Sequence, residues 1–140
     1  MKKLYKFSEL AELCYGKNQH TVAVESSDIP ILGTGGIIGY SSKALYTGES
    51  VLIGRKGTID KPSYINRPFW TIDTLFYTKI NKKLVIPRYF YYFVSTLNLM
   101  SYVEGAAVPS LTTKALNDID CLIDDMDMQR HIVGTTSSLP

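Results

Sequence analysis

Cysteine is scarce in this chain of 140 residues, where Cys14 and Cys121 stand alone and far apart. A disulfide-stapled scaffold or a structural zinc site needs closely spaced thiols, so both are expected as buried, reduced thiols of a cytoplasmic protein. Histidine is equally sparse. His20 and His131 have no carboxylate or thiol at ligand spacing, and no metal or other cofactor is expected. Long apolar runs are missing as well. The stretch 89–94 breaks off far short of the roughly 20 residues that span a bilayer. Met1-Lys2-Lys3 leads into Tyr5, Lys6, Ser8 and Glu9 rather than the apolar core of a signal peptide. Charge of one sign is lacking too, since a formal net charge of +2 is too small to identify a polyanionic partner by itself.

What the chain does have is 45% hydrophobic residues, enough for one core and one domain. Ser8 as N-cap, with Glu9 and Glu12 early and Leu10, Leu13 and Cys14 on one stripe, predicts a short helix ending at Gly16. Between residues 29 and 77, brief apolar runs alternate with Gly, Ser, Thr, Asn and Pro, which predicts a body of strands and loops. Pro87 opens a run in which Phe90, Phe93, Val94, Leu97 and Met100 recur at helical spacing, with Gly105 as its stop. Thr112 or Thr113 is expected to cap a helical turn, residues 119–123 to form a strand, and residues 128–133 a helix stopping at Gly134, with 135–140 weakly structured.

The distribution of charge is more informative than its total. Across residues 41–68, Lys43, Arg55, Lys56, Lys61 and Arg67 stand against Glu49 and Asp60, five minus two, or +3. Across 111–131, Lys114 and Arg130 face Asp118, Asp120, Asp124, Asp125 and Asp127, two minus five, or −3. One face suits phosphates and another suits protein.

Catalytic and nucleotide-binding patterns fail on inspection. In Gly33-Thr34-Gly35-Gly36-Ile37-Ile38-Gly39 the third glycine of a dinucleotide loop would fall at Ile38, and Gly39-Tyr40-Ser41 does not complete a P-loop; these glycines serve tight turns. No serine sits in a nucleophile elbow, and Asp73 falls within an expected strand, capping or bonding a turn rather than facing a base. Tyr89, Phe90, Tyr91, Tyr92 and Phe93 read as core at helical spacing. Gly54-Arg55-Lys56-Gly57-Thr58 is sharper, because paired glycines bracket two cations directly after Val51-Leu52-Ile53. Arg carries forked donors that match a guanine edge, Lys neutralises phosphate, and Thr58 adds a hydroxyl. A solvated hairpin tip would have the same composition. Lys61, Tyr64, Asn66 and Arg67 follow in the next loop and favour a nucleic-acid surface, with Asn66 suited to adenine.

Taken in order, Ile29-Pro30-Ile31-Leu32-Gly33-Thr34-Gly35-Gly36-Ile37-Ile38-Gly39-Tyr40, Val51-Leu52-Ile53-Gly54-Arg55-Lys56-Gly57, Trp70-Thr71-Ile72-Asp73-Thr74-Leu75-Phe76-Tyr77 and Gly105-Ala106-Ala107-Val108-Pro109-Ser110-Leu111 resemble the target-recognition domains of type I restriction-modification DNA-specificity subunits. The resemblance implies an α+β fold, a β-rich, double β-helix-like body of short strands with packed helices and a truncated C-terminal helix. Residues 1–125 would be the target-recognition domain and 126–140 the start of the spacer helix and a tail. It implies a non-catalytic component that binds double-stranded DNA sequence-specifically. The methyltransferase subunit would dock on it and, through that subunit, the restriction subunit, a translocating nuclease. On this reading Arg55 reads a base edge, Lys43, Lys56, Lys61 and Arg67 hold phosphates, and Thr34, Ser41, Thr58, Tyr64 and Asn66 are secondary contacts. The chain departs from the family in having one such domain. Its spacer helix ends almost at once, and Leu122-Ile123-Asp124-Asp125-Met126-Asp127 replaces the usual proline-rich approach. A fragment is therefore expected, either a cloned domain, a truncated gene or a recombination cassette. The alternative role is a truncated interaction module that binds the methyltransferase subunit without reading DNA itself.

Overall fold

The computed structural model describes residues 1–105 and 110–136, without the side chains of 135 and 136. The expected loop from Gly105 to Pro109 falls at 106–109, and the last four tail residues at 137–140, outside the described residues. The chain runs β1 (Lys2–Lys6), α1 (Phe7–Leu10), β2 (Ala11–Tyr15), β3 (Ala23–Val24), β4 (Ile29–Gly33), β5 (Gly36–Ser41), β6 (Ser50–Gly54), β7 (Ser63–Ile65), β8 (Trp70–Thr71) and β9 (Leu75–Ile80). There follow α2 (Pro87–Thr96), a 3-10 turn (Leu99–Tyr102), α3 (Thr113–Asn117), β10 (Asp120–Asp124) and α4 (Met126–Thr136). The fold is mixed α+β, and among the described residues no helix is long and apolar enough to cross a membrane.

Three layers result. The middle layer is a sheet in the order β2-β9-β6-β7, and a second sheet in the order β3-β5-β4-β8 covers one side of it. Alternation along the central strands feeds both sides of the middle sheet. Val51, Ile53 and Phe76 point into the main core with Phe7, Leu10, Phe90 and Val94 from α1 and α2, while Leu52, Leu75 and Tyr77 meet Leu32 and Phe69 on the other side. A smaller cluster of Val22, Ile31 and Trp70 packs on the second sheet. A separate antiparallel ribbon joins β1 to β10. Cys14 is half-buried and Cys121 buried, both free, and burial pushes the Cys121 thiol up to about 11.

Several elements differ from their sequence reading. The expected helix over 8–16 is a single turn, and its cap is Lys6 rather than Ser8. Ala11–Tyr15 instead pairs antiparallel with β9, which satisfies its backbone and carries Ala11 and Leu13 to the main core. The helix from Pro87 stops at Thr96 instead of running to 103. The Ser95 and Thr96 hydroxyls fold back onto the carbonyls of Tyr91 and Phe93 at 2.8 and 2.6 Å, and such local bonds compete with helix continuation. The expected strand through Asp73 is broken by a turn, so that Asp73 lies between β8 and β9. Thr112 does cap α3, accepting from the Ala115 N–H at 3.1 Å. α4 starts at Met126 rather than Met128, because the Asp125 carboxylate accepts the Met128 N–H at 2.9 Å. It then passes through Gly134.

Candidate nucleic-acid interface

The cationic loop after β6 is held on several sides by backbone. Gly54 has no room for a side chain, since a Cβ there would come within 2.0 Å of the Thr58 carbonyl oxygen. The loop thus folds back on itself at once, and Gly57 completes the bend with φ +75°. The N–H groups of Arg55 and Lys56 both donate to the Thr74 carbonyl, at 2.8 and 3.3 Å. The Arg55 carbonyl accepts the Leu111 N–H at 3.0 Å. Buried Ile59 anchors the far side of the loop. Two cations are therefore mounted on a fixed frame, with Lys56 and Thr58 exposed and Arg55 half-buried.

Neighbouring strand ends join this loop at one end of the molecule. The Thr34 Oγ1 lies 3.3 Å from where a Gly57 Cβ would stand, which places the β4–β5 turn against it. Register puts Tyr15 opposite Phe76 and Phe76 opposite Ile53, so the end of β2 belongs to the same edge. The Arg55 guanidinium lies 5.2 Å over the Tyr15 ring, and its Nη1 donates to the Asp73 carbonyl.

The remaining predicted residues do not all gather there. β7 pairs with β6 so that Ile65 faces Ser50. Exposed Asn66 and Arg67 therefore emerge at the opposite end of β6, roughly 15 Å away along the strand, so the structure separates them from the Arg55 loop. Lys61 is exposed in the connection between the two strands. Lys43 is exposed beyond the Ile29↔Ser41 end of the β4–β5 hairpin, away from the Thr34 turn. Ser41 is fully buried, and its hydroxyl donates to the Lys43 carbonyl at 2.5 Å, so it shapes a turn behind the surface. Tyr64 is committed elsewhere: its hydroxyl donates to the Glu49 carboxylate, and the Arg88 guanidinium lies 5.2 Å over its ring. Burial first, and the Glu49 hydrogen bond and charge after it, push Tyr64 up to about 12.

Tyr15 was not among the expected residues, because a helix was read over it. A signal was present in the aromatic residue preceding Gly16, a strand-end pattern hidden by the stripe of Leu10, Leu13 and Cys14. Elsewhere an open cleft of about 830 Å³ lies between α1, the 3-10 turn and α3, lined by Lys6, Tyr102, Glu104, Lys114, Asn117 and Asp118. Lys6 there is paired with Asp118 and Asp120 at 3.3 and 2.9 Å. Among the described residues no group of three His, Cys, Asp or Glu is placed to hold a metal.

Comparison with known proteins agrees with this architecture. The S subunit of the type I restriction-modification system from M. genitalium superposes with a TM-score of 0.85 at 11% identity, covering 99% of this chain and 38% of that one. A chain solved to explain complex assembly and conformational transition of the type I R-M system gives 0.80 at 13% identity, covering 99% and 38%. The HsdS subunit from Thermoanaerobacter tengcongensis gives 0.74 at 14%, covering 98% and 37%. At such identities the likeness is one of fold, and this chain spans a little over a third of the length of those solved chains. No curated protein matches it. The type I restriction modification DNA specificity domain matches residues 2–138, nearly the whole sequence, and the chain belongs to that family.

Proposed function

We propose that the domain reads a short half-site in double-stranded DNA through the end of the molecule that carries the 55–58 loop. Arg55 presents its donors to a base edge, and Lys56 neutralises a neighbouring phosphate. The observation that carries this reading is the mounting of the loop. Two cations are held to Thr74 and Leu111 by backbone bonds and bent by glycines that tolerate no replacement without strain. A solvated hairpin tip needs no such frame. Thr34 and Thr58 add hydroxyls at the same end. Lys61, and the more distant Lys43, Asn66 and Arg67, serve as flanking contacts to a duplex lying along the β6–β7 hairpin, whose roughly 15 Å matches about four base pairs.

Family membership supports the larger setting within the same proposal. Residues 1–125 form the recognition domain, and α4 leads into the spacer at 126–140. The methyltransferase subunit docks on this scaffold and, through it, the restriction subunit. The domain supplies specificity, and its partners supply the chemistry.

Selection of bound duplexes from a randomised pool at low salt tests the reading. Wild type should enrich a short motif. Arg55→Ala should relax one position of it, at a cost of about 1–3 kcal/mol in discrimination. Lys56→Ala should weaken binding to all duplexes alike and lower the salt slope by about one. No enrichment, with salt-insensitive capture of the methyltransferase subunit, would put the interaction-module role in its place.

A further inference from the structure

The Arg55 side chain is not free in the loop that carries it. Its guanidinium crosses the start of β9 to lie 5.2 Å over the ring of Tyr15 on β2. Tyr15 in turn packs at 5.2 Å, tilted by 56°, against Phe76, which is fully buried in the main core. A third contact fixes the rotation, as Nη1 donates to the Asp73 carbonyl. Phe76, Tyr15 and Arg55 thus form a column from the core to the surface. Tyr15, 52% exposed, is its accessible middle. A guanidinium has five N–H donors in a fixed fork, and one bond to Asp73 leaves four for a ligand.

An arginine on a loop normally samples many rotamers and must be ordered when it engages a base, which costs affinity and blurs the choice between bases. An aromatic face beneath the guanidinium removes much of that freedom while leaving the donors turned outward. We propose that Tyr15 is a positioning residue for base recognition, acting through Arg55 and not by touching DNA itself. The inference rests on the DNA-reading function proposed above. Its consequence is that one letter of the recognised sequence is controlled by a residue on another strand, forty positions away from the cation that reads it.

Binding is to be measured for the selected duplex and for one altered at the base pair whose preference Arg55→Ala relaxes, with Tyr15→Phe, Tyr15→Leu, Arg55→Ala and the double variant Tyr15→Leu/Arg55→Ala. Tyr15→Leu should lose roughly 3- to 10-fold of the discrimination at that base pair with an unchanged salt slope. Tyr15→Phe should retain it, and the double variant should behave as Arg55→Ala alone. Tyr15→Thr, whose β-branched side chain suits a strand, takes the place of the leucine variant if that one fails to fold. The column is also visible without DNA, because the Arg55 δ-protons of the free protein should be shifted upfield by the ring in wild type and Tyr15→Phe and not in Tyr15→Leu. Equal loss on both duplexes, relaxation at a different base pair, an additive double variant, or unshifted δ-protons in wild type would each overturn the positioning role. If wild type enriches no duplex, the DNA-reading function falls and the positioning role with it, while the upfield shift still reports whether the column exists.

Discussion

Thr78 holds the middle sheet together where its ladder gives out. β6 and β9 are paired at Ile53↔Phe76 and Gly54↔Leu75; beyond that, hydroxyls replace backbone pairing. Thr78 Oγ1 accepts the Val51 N–H and donates to the Val51 carbonyl, both at 2.9 Å. Ser50 Oγ donates to the Thr78 carbonyl and accepts the Thr78 N–H, both at 2.8 Å. Both residues are fully buried, so no water replaces a lost partner. Thr78→Val keeps the shape and strips the hydroxyl, leaving the Val51 N–H and carbonyl each short of a partner. The expected loss is about 2 kcal/mol, read as a lower denaturation midpoint with an unchanged m-value. An unchanged midpoint would show that the sheet closes up without the hydroxyl. Nothing in composition distinguishes this threonine from the many that line loops. Its role depends on which strand lies beside it, which local sequence does not encode.

At the scale of elements, the Gln129 side chain fastens the first turn of α4 to the body, and Ile132 and Val133 pack against the main core further along. The Gln129 amide accepts the Ile86 N–H at 2.8 Å and donates to the carbonyls of Leu84 and Asp124 at 2.9 Å, tying the helix to the entry of α2 and the end of β10. Gln129→Leu would bury the same volume and orphan three backbone groups, a cost of roughly 2–4 kcal/mol. Hydrogen exchange should show lost protection in α4 and around residues 84–86, with the middle sheet protected as before; equal loss everywhere would show that α4 has no separate stability. The elements also mark what the sequence made legible. β6 stood out as an apolar run between turn residues, β9 only as the second half of a run through Asp73 that a turn divides, and Pro87 and the Thr112–Thr113 pair marked two helix starts by local chemistry. β2 was misread because Leu10, Leu13 and Cys14 match helical spacing while the pairing with β9 is non-local. The site divides in the same way. The glycine-bracketed Arg55 and Lys56 were legible as a loop, but the register that sends Asn66 and Arg67 to the far end of β6, and the packing that brings Tyr15 under Arg55, belong to tertiary structure.

For the whole molecule, the shared wall of β6 and β9 means that both larger cores are lost with the middle sheet, while the small Val22, Ile31 and Trp70 cluster is built without it. The β1–β10 ribbon forms no ladder with either larger sheet, and it joins the main core through Cys121 and Ile123. Its register runs from Lys2↔Asp124 to Lys6↔Asp120, so the outer ends of both strands lie at one edge. A tension between those ends loads the ribbon's hydrogen bonds one after another, like a zipper, whereas tension across its length would load them together. Handles at residues 2 and 124 in an optical trap should therefore give a first rupture at lower force than handles at residues 2 and 120, and equal forces would refute this. The ribbon then serves as a mechanical fuse: loaded at residues 2 and 124, it should open one ladder bond at a time before the middle sheet and the Arg55 loop bear the load.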